Sequence, residues 1–299
     1  MNTTTLHAAV AAPQSRTRLV LGIFKLRIAE LIMVTALGGM ASVPGASLGL
    51  VPTIVLALSV LLASAAAGAF NQYVEADSDR LMKRTRTRAF ASGALPKNGA
   101  WLLAIVALLV GAVGAAALVV NVVAAAFTLA GALTYALLYT LALKRRTAWN
   151  IVVGGAAGSF AVLAGAAAVN PQIGPLAWLL ALVLFLWTPP HFWSLAIANS
   201  AEYEAVGVPM LPVVVGVPRA ARIVHANALL LVAVSLLPLA FGAGWVYGAG
   251  ALLGGAHFVR KTQALARAPD RKTALAAFFA SMVQLSLLLA AVVIDAALR

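Results

Sequence analysis

The chain has no cysteine, which excludes disulfides and any thiolate-held metal. It is also poor in charge. Only 10% of its 299 residues are Asp, Glu, Lys or Arg, while 63% are hydrophobic and the mean hydropathy is +0.99. That balance excludes a soluble domain and fits a polytopic helical membrane protein. Acids are scarcer than bases: Glu30, Glu75, Asp77, Asp79, Glu202, Glu204, Asp270 and Asp295 are all there are, and the formal net charge is +13. In a soluble protein such an excess would point to nucleic acid. Here it must be read by position, because basic loops orient membrane helices. The first residues are polar (Thr3, Thr4, Thr5, Ser15). They lack the apolar core and cleavage site of a removable signal peptide.

What is abundant is long apolar runs. About nine are near the ~20 residues that cross a hydrocarbon layer. They cover 26–44, 50–73, 99–119, 121–142, 148–169, 173–198, 222–242, 245–261 and 273–295. The expected architecture is an all-α membrane bundle, with a polar tail over 1–24 and a single transmembrane domain over 25–299. With this count, 20 of the 21 lysines and arginines fall on one side, the exception being the last residue, Arg299. The positive-inside rule puts that side, the N-terminus and all long loops in the cytoplasm, in a bacterial-type inner membrane. Topology thus accounts for the charge, and no nucleic-acid partner is expected. Gly154 with Gly158, and Gly111 with Ala115, are small-residue pairs at the spacing that lets helices pack closely in lipid.

Five of the eight acids fall in two places, both at cytoplasmic helix ends. The first is Asn71-Gln72-Tyr73-Val74-Glu75-Ala76-Asp77-Ser78-Asp79, which opens a basic segment ending at Arg88. If the helix continues that far, Asn71, Glu75 and Asp79 project from one face, and Asp77 points elsewhere unless the helix unwinds. Three oxygen-bearing side chains on one stripe suit Mg²⁺, which shares its ligands with phosphates. A solvated polar cap would look the same by spacing alone. The second place, Asn199-Ser200-Ala201-Glu202-Tyr203-Glu204, echoes the first. Arg84, Arg86, Arg88, Lys144 and Arg145 are candidates to hold a diphosphate, since arginine forks onto phosphate oxygens. Positive-inside anchoring also explains them. His191 follows two prolines inside the sixth run, where freed backbone carbonyls are tolerated next to a cavity. By itself the pattern says no more than that this histidine could satisfy a freed carbonyl.

These residues resemble the UbiA superfamily of membrane prenyltransferases. Its first aspartate-rich motif is matched by Asn71 through Met82 with Arg84-Thr85-Arg86-Thr87-Arg88. Tyr139-Thr140, Leu143-Lys144-Arg145, Thr147 and Asn150 also match. So does Ala205-Val206-Gly207-Val208-Pro209-Met210-Leu211-Pro212-Val213. Trp187-Thr188-Pro189-Pro190-His191-Phe192-Trp193 is the mark of the heme-directed branch. The resemblance implies transfer of a farnesyl group from farnesyl diphosphate to a vinyl group of heme B, giving heme O. It implies Mg²⁺ as cofactor, held by Asn71, Glu75, Asp77, Asp79 and Glu202. Asn71, Glu75, Asp79 and Glu202 would be catalytic. Lys83, Arg84, Arg88, Lys144 and Arg145 would take the diphosphate, and His191, Trp187 and Trp193 the heme. Tyr139, Asn150 and Tyr203 would line the substrate pocket. The lipid bilayer is implied as surroundings, and a heme A synthase as receiver of the product. Departures are Ala201 where the family carries a carboxylate, Ala89 after Arg88, and Leu26 between Lys25 and Arg27. The alternatives are a related enzyme with an aromatic or quinone-precursor acceptor, and a transporter or assembly protein whose acids carry ions.

Overall fold

The computed structural model describes residues 15–44 and 48–298. The expected polar tail therefore lies mostly outside the described residues, as do Thr3 to Thr5 and Arg299. The described residues form helices and turns. A short α1 (Arg16–Ile23) precedes α2 (Leu26–Ala41) and α3 (Leu50–Val74), and α4 (Ala76–Leu81) continues from α3. Next come α5 (Gly99–Val119), α6 (Val122–Leu133) and a π-helical stretch over Thr134–Leu143 that extends α6. Then follow α7 (Asn150–Val169), α8 (Pro175–Ala198), the short α9 (Ser200–Ala205) and α10 (Leu211–Val215), and α11 (Val217–Val234). A 3₁₀ turn over Leu237–Phe241, α12 (Trp245–Arg267) and α13 (Arg271–Leu298) complete the chain.

Each expected apolar run is a helix. In lipid every backbone group must be satisfied within the span, so apolar runs of this length have no other solution. Seven spans among the described residues are long and apolar enough to cross a membrane: α3, α5, α6 with its π extension, α7, α8, α11 with its 3₁₀ turn, and α13. The other two runs fall short for different reasons. Helix α2 has only 16 residues, and α12 ends in Arg260, Lys261 and Arg267.

Neighbours in sequence pack side by side, α13 returns to α8 and α2, and α7 crosses to α2. Glycine sets that last crossing. A Cβ on Gly39 would run into the backbone of Val162, and one on Gly165 into the carbonyl of Ala36. The expected small-residue pairs divide. Gly154 is pressed on the ring of Tyr139 and Gly158 touches Leu184, but a Cβ on Gly111 would meet nothing within 4 Å.

Turns are tied across helices. Asn121 caps α6 through the Ala124 amide at 2.8 Å, while its own amide donates 2.9 Å to the Ala167 carbonyl at the end of α7. Asp295, 3% exposed on α13, accepts from the Gly244 amide at 2.8 Å and the Tyr247 amide at 3.3 Å. A carboxylate on the first amides of α12 satisfies orphan donors and meets the positive end of that helix. Asp295 therefore has a structural role, joining the two last helices.

Candidate active site

Asn71, Glu75 and Asp79 form one buried stripe, at 2%, 5% and 4% exposure. The helix does break, at Glu75, where α3 ends and α4 begins. The Glu75 amide still bonds to the Asn71 carbonyl at 3.0 Å, and the Asp79 amide to the Glu75 carbonyl at 2.8 Å. Helical register survives the break, so the three stay on one face.

Each of these oxygens carries a cation. The Lys25 ammonium donates to Asn71 Oδ1 at 2.5 Å, Lys144 Nζ to Glu75 Oε2 at 2.5 Å, and Arg88 to Asp79 Oδ2 at 2.7 Å. Unpaired buried carboxylates would be very costly, which is why the stripe exists only with its partners. The Asn71 amide group is fixed from behind by a 3.0 Å bond to Thr140 Oγ1, and the Thr85 hydroxyl donates to the Asp79 carbonyl at 3.0 Å.

The π-helical stretch positions the facing wall. Its wider turn carries the Thr140 hydroxyl onto the Tyr135 carbonyl at 2.9 Å and the Lys144 amide onto the Tyr139 carbonyl at 2.9 Å, both five residues back. Tyr135 and Tyr139 consequently stack, 5.4 Å apart and 11° from parallel. Lys144 lies 5.9 Å from the Tyr139 ring centre, and Lys25 lies 5.6 Å from that of Tyr135. Local π-helix is common at functional sites and leaves no mark in hydropathy.

Lys25 stands at the bend between α1 and α2 with φ +48°, the only non-glycine with positive φ among the described residues. Such a conformation costs roughly 1–3 kcal/mol and persists only where the surroundings hold it. Gln72 holds this one, donating to the Gly22 carbonyl at 2.9 Å and to the Ile23 carbonyl at 3.1 Å. Burial, helped by the charges of Arg88 and Lys144 and opposed by Glu75 and Asp79, brings the Lys25 pKa down to about 7. From that point a cavity runs into the bundle between α2, α3, α6 and α7. Lys25, Gly68 and Tyr135 line its polar end; Ile32, Val60, Phe127 and Ala161 are among the apolar residues farther in.

The remaining expected site residues divide. Tyr203 is buried and hydrogen-bonds Arg84; burial raises its pKa while the guanidinium pulls it down. Glu202 is half-buried, and its Oε2 is enclosed without a hydrogen-bond partner. Asn150 is fully buried and donates to the Thr147 carbonyl at 2.6 Å, so it shapes the turn before α7. Lys83 and Arg145 are exposed.

Asp77 does not join the stripe. It is an exposed residue paired with Arg80 at 3.4 Å and Lys97 at 3.9 Å, because a residue two places along the helix faces the other way. Among the described residues, no three His, Asp or Glu side chains gather closely enough to hold a metal by themselves. A Mg²⁺ here would need the Asn71 oxygen and phosphate oxygens as well, which is how that ion is usually held.

The residues expected to contact heme pack where α8 meets α13. His191 is stacked between Trp187 at 4.2 Å and Phe278 at 4.5 Å, with Nδ1 2.6 Å from Ser281 Oγ. Trp187 Nε1 donates to the Ser281 carbonyl at 2.8 Å. These residues join α8 to α13, and none of them lines the cavity. Trp193 is buried in an apolar cluster with Ile151 and Tyr203. Sequence reasoning missed Lys25, Gln72, Tyr135 and Phe127. In the sequence Lys25 stands out only as an orienting charge and as part of the departure Lys25-Leu26-Arg27.

Residues 32–283 match the UbiA prenyltransferase family. The chain is 52% identical over 273 residues to protoheme IX farnesyltransferase 2 of Paramagnetospirillum magneticum, covering 91% of this chain and 95% of that protein. It is 46% identical to protoheme IX farnesyltransferase 1 of the same organism, over 91% of this chain and 96% of the relative. Its fold is similar to a solved digeranylgeranylglyceryl phosphate synthase, with TM-score 0.78, 16% identity, and coverage of 95% and 99% of the two chains. A UbiA homologue of Archaeoglobus fulgidus bound to GPP and Mg²⁺ superposes with TM-score 0.65 at 13% identity, covering 89% and 99%. The chain belongs to the UbiA prenyltransferase family.

Proposed function

We propose that this protein transfers the farnesyl group of farnesyl diphosphate to a vinyl group of heme B, giving heme O, with its site at the cytoplasmic face of a bacterial-type inner membrane. The observation that carries the reading is the stripe of three buried oxygen donors, each holding a cation, at the mouth of an apolar cavity. The names of the relatives choose the acceptor.

The residues fit a magnesium diphosphate. Asn71, Glu75 and Asp79 present the oxygen donors Mg²⁺ prefers, and three ammonium or guanidinium groups already stand on them. The enclosed, unpartnered Oε2 of Glu202 would supply one more from the second acidic helix end. Bound Mg²⁺ would neutralise charge developing on the leaving diphosphate. Lys25, Lys144, Arg84 and Arg88 would turn from their present partners onto phosphate oxygens, stabilising the same charge in a preorganised setting. The bond between the allylic carbon and the diphosphate oxygen breaks, and the vinyl carbon of heme forms the new bond. Water adds to the resulting cation and loses a proton, leaving a hydroxyl. The cavity would keep water from the allylic cation until the acceptor arrives. A heme A synthase would take the product onward.

Purified protein in lipid nanodiscs, given heme B, farnesyl diphosphate and Mg²⁺, should yield a farnesylated, hydroxylated heme by mass spectrometry. Heme recovered unchanged from an intact, folded sample would overturn the reading.

A further inference from the structure

We infer that Phe127 closes the far end of the prenyl cavity and so sets the length of the chain the enzyme accepts. The inference rests on the farnesyl-transfer reading and adds a determinant of specificity to it. The cavity is continuous with the charged stripe, because Lys25 and Tyr135 belong to both. Its walls are graded. On α3 the lining passes from Gly68 through Ala67, Ser64 and Ala63 to Val60. On α6 it passes from Tyr135 through Ala132, Gly131 and Thr128 to Phe127. Small residues therefore flank the channel and larger ones end it. The Thr128 hydroxyl is turned onto its own helix, 2.9 Å from the Ala124 carbonyl, and offers the cavity no free polar group.

The depth can be reckoned from the helices. Eight residues separate Gly68 from Val60 and Tyr135 from Phe127, or about 12 Å at the α-helical rise of ~1.5 Å per residue. A prenyl chain grows by four backbone carbons per unit, about 5 Å when extended at ~1.5 Å per bond. Three extended units, about 15 Å at ~1.5 Å per bond, fill such a channel with their first carbons reaching out to the Asn71–Lys25 pair; a fourth would drive its end into the Phe127 ring. That ring has little room to retreat. It stacks on Phe160 at 6.1 Å and meets Trp178 edge-on at 6.4 Å.

The test is competition. Nanodisc-embedded protein receives heme B and Mg²⁺ with equal amounts of geranyl, farnesyl and geranylgeranyl diphosphate, and the three prenylated hemes are measured. Wild type should favour farnesyl. Phe127→Ala should move the product ratio at least tenfold toward geranylgeranyl. Ala63→Met, which narrows the channel nearer its mouth, should move the ratio of geranyl to farnesyl product at least tenfold toward geranyl. It keeps the question decidable should Phe127→Ala fail to insert. An active wild type whose ratios neither variant moves overturns the role of Phe127 and leaves the reaction standing. A wild type that prenylates no heme with any of the three diphosphates overturns the reaction itself.

Discussion

The two acidic helix ends look alike in sequence and differ in structure. At the end of α3, three oxygen side chains are buried on one face and each meets a cation. At the end of α8, Asn199 turns its amide to the Leu195 carbonyl of its own helix at 2.8 Å, Ala201 brings no oxygen, and Glu204 is exposed. Only Glu202 keeps an enclosed oxygen there, while Tyr203 reaches Arg84 of the first patch. The first patch pairs every buried oxygen with a cation, and from the second only Tyr203 reaches across to it, through Arg84. Repeated composition does not make repeated function; burial of the oxygens and a cation for each one does.

Substitutions should grade along this difference. Asp79→Asn keeps the shape and removes the charge that faces Arg88, and should lower kcat by at least about 10²–10³-fold, the scale of losing one preorganised electrostatic contact. Lys144→Met should cost about 3–5 kcal/mol of stability by leaving Glu75 buried and unpaired. Thermal unfolding in nanodiscs measures it, and Lys144→Met with Glu75→Gln should recover part of the loss. Glu202→Gln should lower turnover by only about tenfold, near 1.4 kcal/mol. A loss equal to that of Asp79→Asn would make the two patches equivalent and break the comparison. Asp77→Asn should change turnover less than twofold, because exposed ion pairs contribute about 0–1 kcal/mol and this one lies off the stripe.

Much of this was legible in the sequence. Apolar runs gave the helices to within a few residues: the run expected over 50–73 is α3 at Leu50–Val74. Four-residue spacing gave the stripe of Asn71, Glu75 and Asp79 and left Asp77 off it. It worked although the helix breaks at Glu75, because the backbone bonds bridge the break. What escaped was whatever depends on several elements meeting. Hydropathy cannot distinguish the π turn of Thr134–Leu143 from an α turn, so the stacking of Tyr135 on Tyr139 was hidden. Charge placement explains Lys25 as a topological charge, and only the bend after α1 turns its amine inward. The Pro-Pro-His run marked α8 correctly, yet the imidazole packs against Phe278 and Ser281 of α13, ninety residues away. Asp295 showed no role until Gly244 and Tyr247 appeared beside it.

The central claim is that the α3 stripe grips a magnesium diphosphate. Its most direct test is to titrate Mg²⁺ into metal-stripped wild type and Asp79→Asn, with heme B and farnesyl diphosphate present, and follow farnesylated heme. The account predicts no product without divalent cation, saturable activation of wild type, and a variant that needs at least tenfold more Mg²⁺ for half its own maximal rate. Full turnover in the presence of excess chelator, or the same Mg²⁺ dependence in both proteins, would contradict it.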